Sequence, residues 1–386
     1  MFLRTLLNEN RRLAEAMFTL HRSGELLPNT FVIDVDTVLD NARAMKEEAD
    51  REKLELYIMA KQMGRNPYIC KKLVEMGYPG AVVVDFQEAM VMMRNGIPIA
   101  HAGHLVQLPE YFLERLLRYG VGMITVYSVD KAQSIDRICQ RLGKVQDLCL
   151  KIIRRGDRIY SGQESGFCLE ELPAVLEALE KMKGVHVKAL TAFPCFLYSE
   201  ESGQVENCPN LGTLLAAGEA AASRLGRRLH LNMPSCTQTQ TISRIRRLGG
   251  DSAEPGSALI GTVPNNQDGS AVERIAAAYM SEVSHTQGKR SYCYGGGLYP
   301  RGHIGYALTT MENDREQILR TVPPELGNID YYFAMEGRAA VGSGVLMSFR
   351  PQMFTSRSFV MLLEGLSKGN LHMAGLYDAQ GMPVVN

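Results

Sequence analysis

Between residues 54 and about 262 the chain alternates short apolar runs with longer segments whose apolar residues recur at helical spacing. The runs are LELYIM (54–59), AVVVD (81–85), IPIAHAG (97–103), VGMITVY (121–127), DLCLKII (147–153), VHVKALTAF (185–193), RLHLNM (228–233) and a last short one near Gly250–Ala253. Their centres recur at roughly 20 to 40 residues, the spacing of βα units joined by crossover helices. Between them stand PYICKKLVEMG, FQEAMVMMRNG, PEYFLERLLRYG and LEELPAVLEALEKMKG. Each closes on glycine, as a helix C-terminus often does. The strand runs lack strict alternation, which suits a parallel sheet covered on both faces. Eight such units predict an α/β fold closed into a (β/α)8 TIM barrel. An open doubly wound sheet shares the same pattern, because periodicity alone does not report closure.

After about residue 270 the pattern changes to short, glycine- and tyrosine-rich pieces: AAYMSEVSHTQ, RSYCYGGGLYPRGHIGYALTT, YYFAMEGRAAVGSGVLMSF and GNLHMAGLYDAQG. These predict a C-terminal all-β domain. At the other end, MFLRTLLNENRRLAEAMFTLHRSG interrupts its apolar residues with Arg4, Asn8, Glu9, Arg11, Arg12 and Glu15. That spacing predicts one amphipathic helix closed by Gly24, and neither a signal peptide nor a membrane span. The expected division is an N-terminal helix over 1–27, the barrel over 28–270 and the β domain over 271–386. A chain of 386 residues has ample length for both cores.

Composition narrows the function. Lys and Arg together number 42, as do Asp and Glu, so no net field draws the chain to nucleic acid or an anionic membrane. Arg244, Arg246 and Arg247 lie on a predicted helix and read as a solvated face. The eight cysteines form no CxxC pair and suit the reduced thiols of a cytoplasmic protein.

Barrel active sites form at the C-terminal ends of the strands. Those ends offer Lys61 after the first strand, His101 and His104 after the third, and Arg154 and Arg155 after the fifth. Phe193 closes the sixth, Asn232 and Ser235 follow the seventh, and Glu254 follows the eighth. An ammonium where a core strand meets its loop is partly desolvated, which lowers its pKa and frees the amine as a nucleophile toward a carbonyl. The loops after the seventh and eighth strands read NMPSCTQTQT and EPGSALIG. Ser235, Thr237 and Thr239 stand at the opening of a helix, where hydroxyls and free N–H groups receive a phosphate; serine and threonine also cap helices for structural reasons. Pro255–Gly256 gives a tight backbone there, with Gly261 as another position of close approach. A lysine on the first strand, a phosphate cradle at the seventh and eighth, and a carboxylate beside it outline a site for pyridoxal 5'-phosphate, with Lys61 as its covalent anchor.

At these residues the chain resembles the fold-type III pyridoxal-phosphate enzymes, the alanine racemase and ornithine/diaminopimelate decarboxylase superfamily, and looks similar to its YhfX-like branch. FVIDVDTVLDNARAMKEEA resembles the family's opening strand and helix, and LYIMAKQMG the strand carrying the coenzyme lysine. GAVVVDFQEAMVMMRNGIP is similar to the next unit, KIIRRGDRIYSGQESGF to the Lys/Arg-rich strand with its Gly-Phe close, and AEPGSALIG to the decarboxylases' Glu-Pro-Gly motif. The resemblance covers the barrel well and the β domain loosely. It implies an alanine racemase N-terminal type barrel, a homodimer with shared active sites, and an amino acid as its small-molecule substrate.

Two departures stand out. The family places a histidine over the coenzyme ring where LTAFPCF puts Ala192, so Phe193 or His104 is expected to cover the ring instead. Glu254 takes the position that is arginine in alanine racemase. A carboxylate there keeps the pyridine nitrogen protonated, a stronger electron sink that suits decarboxylation as well as racemisation. SYCYGGG resembles the segment supplying a catalytic tyrosine in the racemases or a cysteine in the decarboxylases. It gives Tyr294 as the second base, with Cys293 as its competitor; both also suit the core of a glycine-rich hairpin. Ser235, Thr237 and Gly256 are expected to hold the phosphate, and Arg65 to reach the phosphate or a substrate carboxylate. The run SFRPQMFTSRS lacks the His and Cys with which some relatives bind zinc, and His101 and His104 lack further ligands in sequence, so no metal is expected. These residues imply a racemase or epimerase acting at an α-carbon. A decarboxylase is the first rival, and a coenzyme-carrying regulatory protein without turnover the second.

Overall fold

The computed structural model describes residues 1–310 and 315–384. The chain forms two compact units, one gathering Met1–Ala44, Lys61–Asn66 and Gly256–Asn386, the other Met45–Ala60 and Pro67–Pro255.

The second of these is the barrel. Its strands are Glu55–Leu56, Ala81–Val82, Ile99–Ala102, Val121–Val126, Gln146–Ile153, Val185–Thr191, His230–Asn232 and Ser252–Ala253, called here the first to eighth. Each pairs in parallel with the next, and the eighth pairs with the first. A parallel bridge between Ile58 and Ala81 joins the first to the second, through Ile58 N–H to Gly80 O (2.9 Å) and Val82 N–H to Ile58 O (2.8 Å). That bridge decides for the closed barrel over the open sheet. All eight apolar runs of the sequence carry a strand, several of them shorter than the run.

The intervening helices are set by local chemistry. Phe86–Arg94 starts at Asp85, whose side chain accepts from Glu88 N–H, and Val129–Leu142 starts at Ser128, which accepts from Lys131 N–H. Such caps stabilise a helix by about 1 kcal/mol each. Val129–Leu142 ends at Gly143 with φ +63°, a left-handed position that favours glycine. After the sixth strand a hairpin, Phe196–Ser199 and Gln204–Asn207, stands at the C-terminal end of the barrel. Arg244 holds it by donating to Val205 O and, at 2.8 Å, to Asn207 Oδ1. Arg246 pairs with Asp251 at 2.9 Å. The arginine run is therefore partly structural and not wholly a solvated face.

In the other unit, six strands close a second, antiparallel barrel: Ala277–Gln287, Arg290–Tyr294, Tyr332–Glu336, Glu316–Val322, Tyr306–Thr310 and Gly344–Met347, which returns to the first of them. A register shift between Val283 and His285 lets the long strand Ala277–Gln287 bend. Its other edge continues the sheet through Thr30–Asp34, Phe359–Glu364 and His372–Asp378. Thr30–Asp34 thus lies between two strands from the far end of the chain. The N-terminal segment forms two helices, Leu3–Glu9 and Arg11–Arg22, instead of one. The break is at Asn10, whose side-chain amide donates to Asp34 Oδ2 (2.9 Å) and to Ile275 O (3.1 Å). Both helices still bury an apolar face: Leu6, Leu13 and Met17 pack with Val32, Ala278, Met280, Leu346 and Met361.

Candidate active site

Glu254 directly follows the eighth barrel strand and is buried. Its Oε1 accepts from Asn232 Nδ2 (2.9 Å) and from His101 Nδ1 (3.2 Å), while His104 Nε2 lies 3.9 Å from Oε2. Each of these donors is held in turn. Thr125 Oγ1 lies 2.5 Å from His101 Nε2, Ser252 Oγ donates to Asn232 Oδ1 (2.8 Å), and His230 Nε2 lies 2.8 Å from Ser252 Oγ. Burial alone raises the Glu254 pKa. The charge of His104, the hydrogen bond and charge of His101 and the Asn232 bond more than offset that, and the carboxyl is lowered to about 2. A buried carboxylate that stays ionised is a fixed negative charge at the mouth of the barrel, suited to a cationic partner.

The seventh-strand loop joins this carboxylate directly. Thr237 Oγ1 accepts from Glu254 N–H (3.2 Å). Two residues earlier, Ser235 and Cys236 take left-handed φ values of +88° and +49°, costly for residues with a Cβ. Ser235 Oγ is buried without a hydrogen-bond partner among the described residues. The helix Thr239–Arg247 begins just beyond, after a capping box at Gln238. An orphaned hydroxyl in a strained loop that opens a helix is a site lacking an acceptor, and a phosphate supplies one.

Beside the carboxylate lie the two candidates for covering a ring. His104 and Phe193 touch edge to face with centroids 5.7 Å apart, and His104 is 5.2 Å from His101. Lys151, on the fifth strand, is buried. Its Nζ donates to Gln163 O (3.2 Å) and lies 4.8 Å over the Tyr127 ring, and burial lowers its pKa against the pull of Glu164. Arg154 and Arg155, the cations expected after this strand, are exposed.

Met59 N–H donates to Pro255 O (3.1 Å), so the first and eighth strands leave the barrel side by side. Lys61 comes two residues after Met59, half-buried in the 3-10 turn Ala60–Met63, and Gly256 comes directly after Pro255. A Cβ on Gly256 would lie 2.5 Å from Gln62 Oε1, itself buried without a hydrogen-bond partner among the described residues. A side chain there would have to displace the Gln62 amide. Arg65, expected to reach a phosphate or carboxylate, is buried with a left-handed φ of +55°. It donates to Gln380 Oε1 (2.6 Å) and stacks 5.1 Å over the Phe354 ring. In the β domain, Cys293 and Tyr294 point to opposite faces of one strand. Cys293 is fully buried, its thiol pushed up to about 12 by burial, and Tyr294 is 37% exposed beside Tyr332. Position alone separates the two.

Sequence reasoning did not reach Thr125 and Lys151, which the structure places beside the candidate site. Lys151 carries a usable signal, since it lies two residues past Cys149 on a strand whose alternate residues share a face. Thr125 carries none, because ordinary strands hold such residues without any role.

The family described as alanine racemase, N-terminal domain, matches residues 33–264, and that described as YhfX-like, C-terminal domain, matches residues 278–373. The chain is 41% identical over 384 residues to a protein described as uncharacterized protein YhfX from Escherichia coli (strain K12), covering 99% of each. Among solved structures it is similar to D-threonine aldolase from Filomicrobium marinum, with TM-score 0.67, 14% identity, and 92% of this chain and 96% of that one covered. It is also similar to alanine racemase of Clostridium difficile 630 in complex with cycloserine, with TM-score 0.64, 16% identity and coverage of 92% and 99%. For D-threo-3-hydroxyaspartate dehydratase from Delftia sp. HT23 the TM-score is 0.66, at 16% identity and coverage of 90% and 97%. At these identities the structural likeness is one of fold.

Proposed function

The chain belongs to the fold-type III pyridoxal-phosphate enzymes, in their YhfX-like branch, and from that premise we propose that it binds pyridoxal 5'-phosphate and racemises or epimerises an amino acid at its α-carbon. The observation that carries the reading is the ionised, buried Glu254, joined through Thr237 to a loop with an orphaned serine hydroxyl. A pyridinium nitrogen and a phosphate dianion, at opposite ends of one small molecule, answer these two needs.

The residues fit that coenzyme. Ser235, Thr237 and the backbone near Gly256 would hold its phosphate, Glu254 its ring nitrogen, and Lys61 its aldehyde carbon. Bound there, the coenzyme supplies an electron sink that acidifies the substrate's α-C–H bond. Within the chain, His101 and Asn232 keep Glu254 ionised, so the carboxylate retains a proton at the ring nitrogen. His104 and Phe193 shield the ring from water. Inversion needs a base on each face of the reacting carbon. The Lys61 amine takes or returns the proton on one face, and the Tyr294 hydroxyl, reaching in from a second copy of the chain, does so on the other.

Decarboxylation is the second reading, favoured by the same Glu254, since a carboxylate at the ring nitrogen strengthens the sink for either reaction. The purified protein, loaded with pyridoxal 5'-phosphate and offered amino acid enantiomers in deuterium oxide, separates them. Racemisation incorporates deuterium at the α-carbon and inverts it without releasing carbon dioxide. Release of carbon dioxide selects the second reading, and the absence of any visible coenzyme band sinks both.

A further inference from the structure

We propose that the substrate carries a second anionic group, a side-chain carboxylate or phosphate, received by Arg158 on the loop that follows the fifth barrel strand. This rests on the function proposed above and names its substrate class.

The loop over residues 154–166 leaves the fifth strand at the C-terminal end of the barrel. It bears Arg154, Arg155 and Arg158, all exposed, and none of their guanidinium groups has an ion-pair partner among the described residues. Its own Asp157 does not neutralise them. Asp157 Oδ2 accepts from Arg154 N–H (2.8 Å) and Oδ1 from Thr213 Oγ1 (2.7 Å), so this carboxylate faces the scaffold. Glu164, the loop's other acid, acts on Lys151. With three arginines against two acids, the loop keeps a net positive charge.

The position of Arg158 is built. Asn210, 1% exposed, accepts from Arg158 N–H (3.0 Å) and donates to Arg158 O (3.1 Å), clamping both sides of that residue's backbone. The same side chain donates to Phe193 O (3.1 Å), tying Arg158 to the residue that meets His104 beside Glu254. Tyr160 closes the arrangement with its ring 6.0 Å from that of Phe193. A buried amide that fixes an exposed arginine against a site residue is poorly explained by solubility. The clamp fixes the backbone from which the Arg158 side chain leaves, and a guanidinium carried there offers a planar fork that matches a carboxylate or phosphate.

Calorimetry and exchange kinetics test this together. Succinate and propionate differ by one carboxylate, and calorimetry reads their binding to the full-length protein whether or not coenzyme is loaded. Wild type should bind succinate more tightly, and Arg158→Met should lose about 10- to 100-fold of that affinity without changing propionate binding, with Arg158→Lys recovering part of it. With coenzyme loaded, α-hydrogen exchange should favour aspartate, glutamate or O-phosphoserine over alanine, leucine and lysine. Arg158→Met should raise KM for the acidic substrates by far more than it alters alanine exchange; preference among the acidic three separates carboxylate from phosphate. Equal binding of succinate and propionate by wild type overturns the assignment of Arg158. So does fastest exchange of alanine or lysine with no effect of the variant, a result that leaves the proposed function intact. A succinate preference in a protein that develops no coenzyme band keeps the anion site and overturns the proposed function instead.

Discussion

Replacing Glu254 by glutamine tests the electrostatics of the barrel mouth without reference to any bound molecule. The carboxyl falls from an ordinary 4.5 to about 2, which corresponds to about 3 kcal/mol of folded-state stabilisation of the ionised form. Because the folded pKa is the lower one, the unfolded chain binds more protons between the two values. The stabilisation is therefore complete above pH 4.5 and is lost as pH falls toward 2. Glutamine keeps the volume and an oxygen for Asn232 and His101, but has no charge to lose. Urea unfolding followed by circular dichroism at pH 5, 4 and 3 should show wild type falling relative to Glu254→Gln by about 2 kcal/mol across that interval. Parallel pH profiles for the two proteins would refute the reasoning, since the histidine and asparagine contacts would then not be holding a charge.

Lys61→Ala should abolish the visible coenzyme band and the borohydride-stable label, as read by absorbance and mass spectrometry of the treated protein; a surviving label would move the anchor to another lysine, with Lys151 first to be examined. Tyr294→Phe should stop inversion while Lys61-dependent exchange from one enantiomer continues, whereas Cys293→Ser, inside the β domain, should alter stability and leave exchange rates within a factor of about two; the reverse result would exchange the two residues' roles. Leu13→Ala, at a fully buried site under the β sheet, should destabilise the protein by about 2–5 kcal/mol in urea titrations, and a cost below about 1 kcal/mol would mean that the helix does not hold that face.

The barrel was legible because eight apolar runs at βα spacing admit few other folds, and closure was not, because it rests on the Ile58–Ala81 bridge, which has no sequence signature. The same limit applies to the site. Glu254, Ser235 and Thr237 follow strands and could be placed by counting. The partners that hold Glu254 ionised come from the third and seventh strands, and nothing local to His101 or Asn232 says that they meet it. The fifth strand shows how a side chain's face decides its role. Lys151 alternates inward with Cys149, while Arg154 and Arg155 lie beyond the last paired residue and turn to solvent. Cys293 and Tyr294 posed the same question in a glycine-rich hairpin whose pattern leaves the inner face ambiguous.

The strand Thr30–Asp34 sits between Ala277–Gln287 and Phe359–Glu364, and this placement orders events on the ribosome. The nearer of its two partners, Ala277–Gln287, emerges about 250 residues later, roughly tens of seconds at ordinary rates of translation. All eight strands of the parallel barrel are made in that interval, so nascent barrel can form while the leading helices and their strand still wait for a mate. Until then an apolar strand edge is open, and a trigger-type chaperone or early arrest of synthesis would act on that segment first.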